Sequence, residues 1–123
     1  MIAGIGLDFI AVSRIAHWLE DEYLCLRFFH PAEIAVVRSR GAEAPRSLAA
    51  RFAAKEAFAK AVGTGFTGLV LKDIRVENDG NGKPVLILEG SAAAAMKRTG
   101  ATRAHLSLTH DGDLAAAQVI LEE

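Results

Sequence analysis

Arg51-Phe-Ala-Ala-Lys-Glu56-Ala-Phe-Ala-Lys60-Ala is the stretch from which the rest of this chain can be placed. It is rich in alanine and reads as helix. At about 100° per residue, Arg51 and Lys55 stack as one charged column, and Glu56 and Lys60 form another, roughly 140° round the helix, with Phe52 between. Every other position from Leu48 to Val62 is apolar. A helix apolar nearly all round belongs in a core, where an unpaired charge is expensive. These charges therefore require partners: one another, a metal ion or an anionic ligand. The plain alternative is a Glu56–Lys60 surface pair worth roughly a few tenths of a kcal/mol.

A chain of 123 residues with 51% hydrophobic content forms one domain, residues 1–123, with a real core. It is small enough to benefit from oligomerisation. The formal net charge of −1 gives no bulk electrostatic case for nucleic acid or an anionic membrane as partner. The single cysteine, Cys25, has no internal disulfide partner and reads as a packed small hydrophobe. With no signal peptide and no apolar run long enough to span a bilayer, the cytoplasm is the expected compartment.

Outward from the helix, the N-terminal side carries a strand and short helices. Met1 to Ile10 alternates, with Ala3, Ile5, Leu7 and Phe9 on one face and Gly4, Gly6 and Asp8 on the other. Two missing side chains beside a carboxylate leave room for something to approach Asp8. Ser13 is placed to cap a following helix with Ile15, Trp18 and Leu19 as its apolar stripe. His30-Pro31 opens a short helix to about Arg38, Gly41 to Pro45 reads as a loop, and the central helix runs from about Pro45 to Val62, stopping at Gly63.

The C-terminal side turns to strands. Leu71–Glu77 and Val85–Leu88 flank the turn cluster Asn78-Asp-Gly-Asn-Gly-Lys-Pro84 and predict a hairpin. A short helix spans Ser91 to Thr99. Leu106 and Leu108 alternate with His105, Ser107 and Thr109. After Asp111-Gly112-Asp113 the chain returns through Ala115, Ala117, Val119 and Leu121 as a second hairpin. The expected fold class is α+β, with antiparallel strands around a central helix.

Several motifs invite chemistry. Gly63-Thr-Gly65-Phe-Thr-Gly68 matches G-x-G-x-x-G, but it follows a helix and precedes a strand, the reverse of the dinucleotide-binding order. A helix stop and a loop explain it, with phosphate binding by free amides as a minor alternative. Gly82-Lys83-Pro84 lacks the spacing and the Ser or Thr of a P-loop. His105, Ser107 and Thr109 on one strand face, with His110 and Asp111 at its end, suggest a Ser-His-Asp triad, yet no nucleophile elbow is present. Asp8 and Glu56 are the carboxylates whose placement points to work. If the first strand packs on the central helix they converge, and two carboxylates with waters and phosphate oxygens are a usual Mg2+ donor set.

Three segments in order resemble the holo-(acyl-carrier-protein) synthases, the small single-domain 4'-phosphopantetheinyl transferases. They are Gly4-Ile-Gly-Leu-Asp8 with Arg14-Ile15, the Arg51–Ala61 stretch, and His105-Leu-Ser-Leu-Thr-His110 running into Ala115-Ala-Ala-Gln-Val. Gly63-Thr-Gly65 and Asn81-Gly-Lys-Pro84 are similar as well, so the resemblance spans essentially the whole chain. It implies the 4'-phosphopantetheinyl transferase fold, a homotrimer with each active site between neighbouring subunits, and transfer of 4'-phosphopantetheine from coenzyme A to a serine of apo acyl carrier protein. Adenosine 3',5'-bisphosphate is released. By the same resemblance, Asp8 and Glu56 match Mg2+ ligands and Lys60 the lysine at the diphosphate. Arg51 and His105 match residues near the 3'-phosphate, Gly63 and Gly65 the loop after the helix, and Gly82, Lys83 and Pro84 the turn beside the adenine. The helix from Arg14, with Trp18, matches the one that receives the carrier.

The chain departs from that pattern in two places. The carrier helix turns acidic at Glu20-Asp21-Glu22 where the family is often basic, leaving Arg27 and Arg38 to supply charge nearby. The loop before the central helix differs in length and offers Arg40 or Arg46 to the 3'-phosphate, with Arg46 the first choice. The serine nucleophile belongs to the carrier, and its proton acceptor is a water, Glu56 or another carboxylate. The competing readings are a Mg2+-dependent phosphohydrolase using the same two acids, and a module that binds coenzyme A without turning it over.

Overall fold

The structure, a computed structural model, describes residues 1–123. In chain order the elements are β1 (Ile2–Ala11), α1 (Val12–Ile15), a 3-10 turn (Ala16–Glu20), α2 (Glu22–Phe28), α3 (Pro31–Arg38), a 3-10 turn (Gly41–Glu43) and α4 (Ala44–Val62). There follow a 3-10 turn (Leu71–Asp73), the hairpin of β2 (Ile74–Asn78) and β3 (Pro84–Leu88), α5 (Gly90–Arg98), β4 (Arg103–Asp111) and β5 (Leu114–Glu122).

The alanine-rich helix α4 is the axis. Pro45 occupies its first turn, where a missing N–H costs nothing, and Gly63 ends it at φ +86°, a left-handed conformation that glycine adopts freely. Its buried positions include Leu48, Ala53, Ala57, Phe58 and Ala61, which share one core with Val119 and Leu121 of β5 and Ile74 and Val76 of β2. Two antiparallel sheets lie against it: a three-stranded one ordered β1-β5-β4, and the separate β2–β3 hairpin. The fold is therefore α+β, and no helix is long and apolar enough to cross a membrane.

The face of β1 that carries Gly4, Gly6 and Asp8 is the inward one. A Cβ at Gly4 or Gly6 would collide with the carbonyl oxygens of Ala61 and Ala57 on α4. The space left by the two missing side chains is thus filled by helix backbone, and what approaches Asp8 is α4 itself. The apolar face points out, with Ile5, Leu7 and Phe9 at 60, 60 and 68% exposure.

Three local expectations shift. Ser13 does not cap a helix: Asp113, in the β4–β5 turn, accepts from the Ser13 N–H (3.0 Å) and hydroxyl (2.7 Å), and α1 starts at Val12. The amphipathic run then breaks, because the Asp21 carboxylate accepts from the Leu24 N–H and starts α2 as a new helix. The predicted 41–45 loop is a 3-10 turn leading straight into α4, and the strand expected from Leu71 begins at Ile74.

Lys55 explains that last change. Its side chain and that of Glu33 on α3 are wholly buried and paired at 2.7 Å. The ammonium also donates to the carbonyl oxygens of Leu71 (3.0 Å) and Ile74, which fills its three donors. Glu33 in turn accepts from the backbone N–H groups of His30 (3.1 Å) and Val76 (3.0 Å). Burial pulls the Lys55 pKa down, and the Glu33 charge opposes that shift. This pair ties α3, α4 and the entry to β2 together, a structural task for one of the five charges on the helix.

Candidate active site

The second charged column of α4 meets β1. Lys60, in the last turn, donates to Asp8 Oδ1 (2.9 Å) and to the Leu7 carbonyl (3.0 Å). The Asp8 side chain is only 11% exposed, while Lys60 reaches solvent. One turn earlier, Glu56 lies within hydrogen-bonding reach of Asp8. Burial, then the Asp8 charge and that hydrogen bond, raise the Glu56 carboxyl above its ordinary range, with Lys60 and Arg14 opposing. The hydrogen bond to Asp8 raises the Lys60 pKa. The two acids thus converge, as the sequence leads one to expect, because the glycines of β1 let the strand and helix backbones approach. Beside them a hollow of about 120 Å³ is lined by Glu56, Ala59, Lys60, Gly65 and Phe66. Gly65 lies at this hollow; Gly63 is the helix stop and does not line it.

Arg51, from the first column, faces a larger cavity of about 400 Å³, whose walls include Arg40, Arg46, Arg51, Asn78, Pro84 and His110. Arg51 is buried, donates to Ser47 Oγ (2.7 Å) and Asn78 Oδ1 (3.2 Å), and keeps a buried Nε with no partner. Burial and then the neighbouring Arg40 charge lower its pKa. Arg46 pairs with Glu43 at 3.2 Å. Pro84 lines the cavity, whereas Gly82 and Lys83 belong to the adjoining turn, with Gly82 at φ +81° and the Lys83 N–H on the Asp79 carboxylate.

His105 is not in this cavity. It stands on the outer face of β4, its Nε2 3.0 Å from Glu122, whose pKa is lowered by that bond and then by the Arg103 charge. The imidazole that lines the cavity is His110, which shares strand parity with the inward Leu106 and Leu108. Its place at the end of β4, next to the lining residues Leu108 and Thr109, separates it from His105. Ser107 is likewise outward and far from a triad arrangement, at the register position of Gln118. Asn78, read from sequence only as a turn residue, proves to be a cavity wall.

Arg14 is exposed on α1. Trp18 is half-buried and packs on Phe28 and Phe52, with ring centroids 5.3 and 5.2 Å away. Glu20 and Glu22 remain exposed beside them.

The carboxylate hollow and the cationic cavity share no lining residue. Arg51 and the Glu56–Lys60 column, on different sides of α4, take part in one each. One offers paired acids and an ammonium suited to a metal-bound diphosphate; the other offers guanidinium and imidazole groups suited to a phosphomonoester.

Residues 4–119 match the family model described as the 4'-phosphopantetheinyl transferase superfamily. The holo-(acyl-carrier-protein) synthase of Treponema denticola is 52% identical over 122 residues, covering 99% of each chain. That of Trichlorobacter lovleyi is 50% identical over 125 residues, covering 99% of this chain and 98% of the relative. Among solved structures, the synthase of Neisseria meningitidis superposes with a TM-score of 0.89 at 35% identity over the whole of both chains. The Bacillus anthracis synthase in complex with CoA (3',5'-ADP) gives 0.82 at 39% identity, covering 99% of this chain and 97% of that one. Full-length likeness in sequence and in backbone agree: this chain belongs to the 4'-phosphopantetheinyl transferase superfamily and, within it, to the holo-(acyl-carrier-protein) synthases.

Proposed function

We propose that residues 1–123 act as one domain that transfers 4'-phosphopantetheine from coenzyme A to a serine of an apo acyl carrier protein, releasing adenosine 3',5'-bisphosphate. The observation that carries this reading is the meeting of Asp8, Glu56 and Lys60 at a hollow beside the glycine loop. The donor set fits Mg2+: two carboxylates are held together against their own repulsion, and the ion favours few protein oxygens alongside water and phosphate. Asp8 and Glu56 would hold it, and it would supply positive charge at the coenzyme A diphosphate.

The protein's own groups do the rest. Lys60, oriented by Asp8 and the Leu7 carbonyl, places an ammonium where negative charge grows on the leaving diphosphate oxygen. Arg46 and Arg51, with Arg40 and His110, hold the 3'-phosphate, and Pro84, Gly82 and Lys83 flank the adenine. His110 takes the place expected of His105, because it lines the cavity. The serine proton passes to the Glu56 carboxylate, relayed by water where the hydroxyl does not reach it, as the hydroxyl attacks phosphorus.

One coenzyme A molecule must touch both hollows, and they share no wall within a chain. The family likeness implies a homotrimer, in which the carboxylate cluster of one subunit would face the cationic cavity of the next. Ile5, Leu7 and Phe9, an exposed apolar row, are the surface such an assembly would cover. Arg14, with the uncovered edge of Trp18, receives the carrier. The cytoplasm suits a protein whose one cysteine is free and buried.

Incubation with coenzyme A, Mg2+ and an apo carrier tests the reading. Mass gain of the carrier by one phosphopantetheine supports it. Phosphate release without carrier modification would mark a hydrolase, and binding without either product a coenzyme A module.

A further inference from the structure

Asn78 closes β2, opposite Pro84 at the mouth of the turn. Its Oδ1 accepts from Arg51 Nη2 at 3.2 Å and from Arg40 Nη2 at 3.3 Å, and its Nδ2 donates to the Gly82 carbonyl at 3.0 Å. One side chain therefore joins the segment after α3, the middle of α4 and the 79–83 turn. It does so at the wall of the cationic cavity.

The chemistry of that junction is specific. Two guanidiniums converge on a single neutral oxygen, and the one carboxylate in the cavity wall, Glu43, is paired with Arg46. A carboxylate in place of the amide would hold both arginines equally well but cancel much of their charge. An apolar residue would let them move apart, since like charges repel and nothing else anchors Arg40. A carboxamide fixes the pair and leaves its charge free for an anion. Its amino group meanwhile holds the turn that leads to Pro84, so that the charged wall and the apolar wall keep one spacing.

We propose that Asn78 is a positioning residue for the phosphorylated adenosine end of coenzyme A, setting Arg40, Arg51 and the Gly82–Pro84 turn as one rigid wall. It acts through those groups and selects for the 3'-phosphate. This rests on the reading that the 400 Å³ cavity takes that half of the coenzyme.

The test uses the full-length protein with Mg2+, apo carrier, and either coenzyme A or dephospho-coenzyme A, which lacks the 3'-phosphate. Asn78→Ala is expected to raise KM for coenzyme A about tenfold, from the loss of charge-assisted hydrogen bonds. KM for dephospho-coenzyme A should rise less, so the preference for the phosphorylated form shrinks. Asn78→Asp, of the same shape, should shrink that preference further, and added salt should lessen the difference between Asp and Asn. KM for the carrier should stay within about twofold in both, since Asn78 lies on the coenzyme side. An unchanged preference in a folded Asn78→Asp protein, or an equal rise in both coenzyme and carrier KM, overturns the proposal. Arg46→Ala is the control: if it and the two Asn78 variants all leave the preference intact, the cavity does not take the 3'-phosphate and the underlying reading fails. If Arg46→Ala alone abolishes the preference, the cavity reading stands and the role given to Asn78 is wrong.

Discussion

Lys60 lies 2.9 Å from Asp8, reaching from the last turn of α4 to the middle of β1. That contact exists because Gly4 and Gly6 bring the strand against the helix carbonyls of Ala61 and Ala57. The same close approach puts Glu56 beside Asp8. Two like charges with one ammonium are a poor arrangement for stability and a good one for a divalent ion, so the site is best tested by separating the two properties.

Asp8→Asn and Glu56→Gln should each lower turnover by at least about 10²-fold. In metal-free protein, Glu56→Gln should also raise Tm. A carboxyl whose folded pKa is raised gives its full stability contribution below the ordinary carboxylate pKa and loses it as pH rises through the raised value. The Gln variant should therefore melt higher at pH 7, by roughly 1–3 °C for a partly screened charge pair. Near pH 4, where Glu56 binds its proton, the difference should shrink. Thermal melts at both pH values, with a chelator present, check this.

Gly6→Ala should destabilise by about 2 kcal/mol or more, because its Cβ meets the Ala57 carbonyl and the helix must move. Gly80→Ala, with open space around it, should change stability by less than about 0.5 kcal/mol. Urea unfolding of the two variants gives the comparison.

Breaking the buried ion pair should be severe. Lys55→Met leaves Glu33 charged and buried without its counterion, a cost of about 3–5 kcal/mol. Adding Glu33→Gln to that variant should recover part of the loss, since the residual buried charge is gone. Equal stability of the single and double variants, by denaturant melts, would deny the coupling.

Arg14→Glu should raise KM for the carrier several-fold and leave KM for coenzyme A within about twofold, since charge reversal at a rim acts on encounter with an acidic partner. Steady-state kinetics with each substrate varied in turn decides.

The sequence carried a good part of this. The helix limits near Pro45 and Gly63 follow from the residues themselves, as do both hairpins and the pairing of Asp8 with the Glu56 column. What alternation could not reveal was which face of β1 turns inward. The outward row of Ile5, Leu7 and Phe9 is the more apolar one, and only the fit of two glycines against helix backbone reverses the choice. Lys55 was placed on the right helix, but its partner lies 22 positions away on α3, beyond the reach of local periodicity. His105 and His110 lie five residues apart on β4 with opposite parity, and the family likeness alone did not distinguish them. Asn78 joins three segments that no local rule connects.

The central claim is that the carboxylate cluster of one subunit works with the cationic cavity of another. Co-expression of Asp8→Asn chains with chains carrying Arg46→Glu and Arg51→Gln tests it directly, because each parent is inactive alone. If sites span two subunits, random 1:1 trimers should regain about a quarter of wild-type transfer, the fraction of junctions that join two intact halves. No activity above that of the separate parents, in trimers shown to contain both chains, would contradict the account.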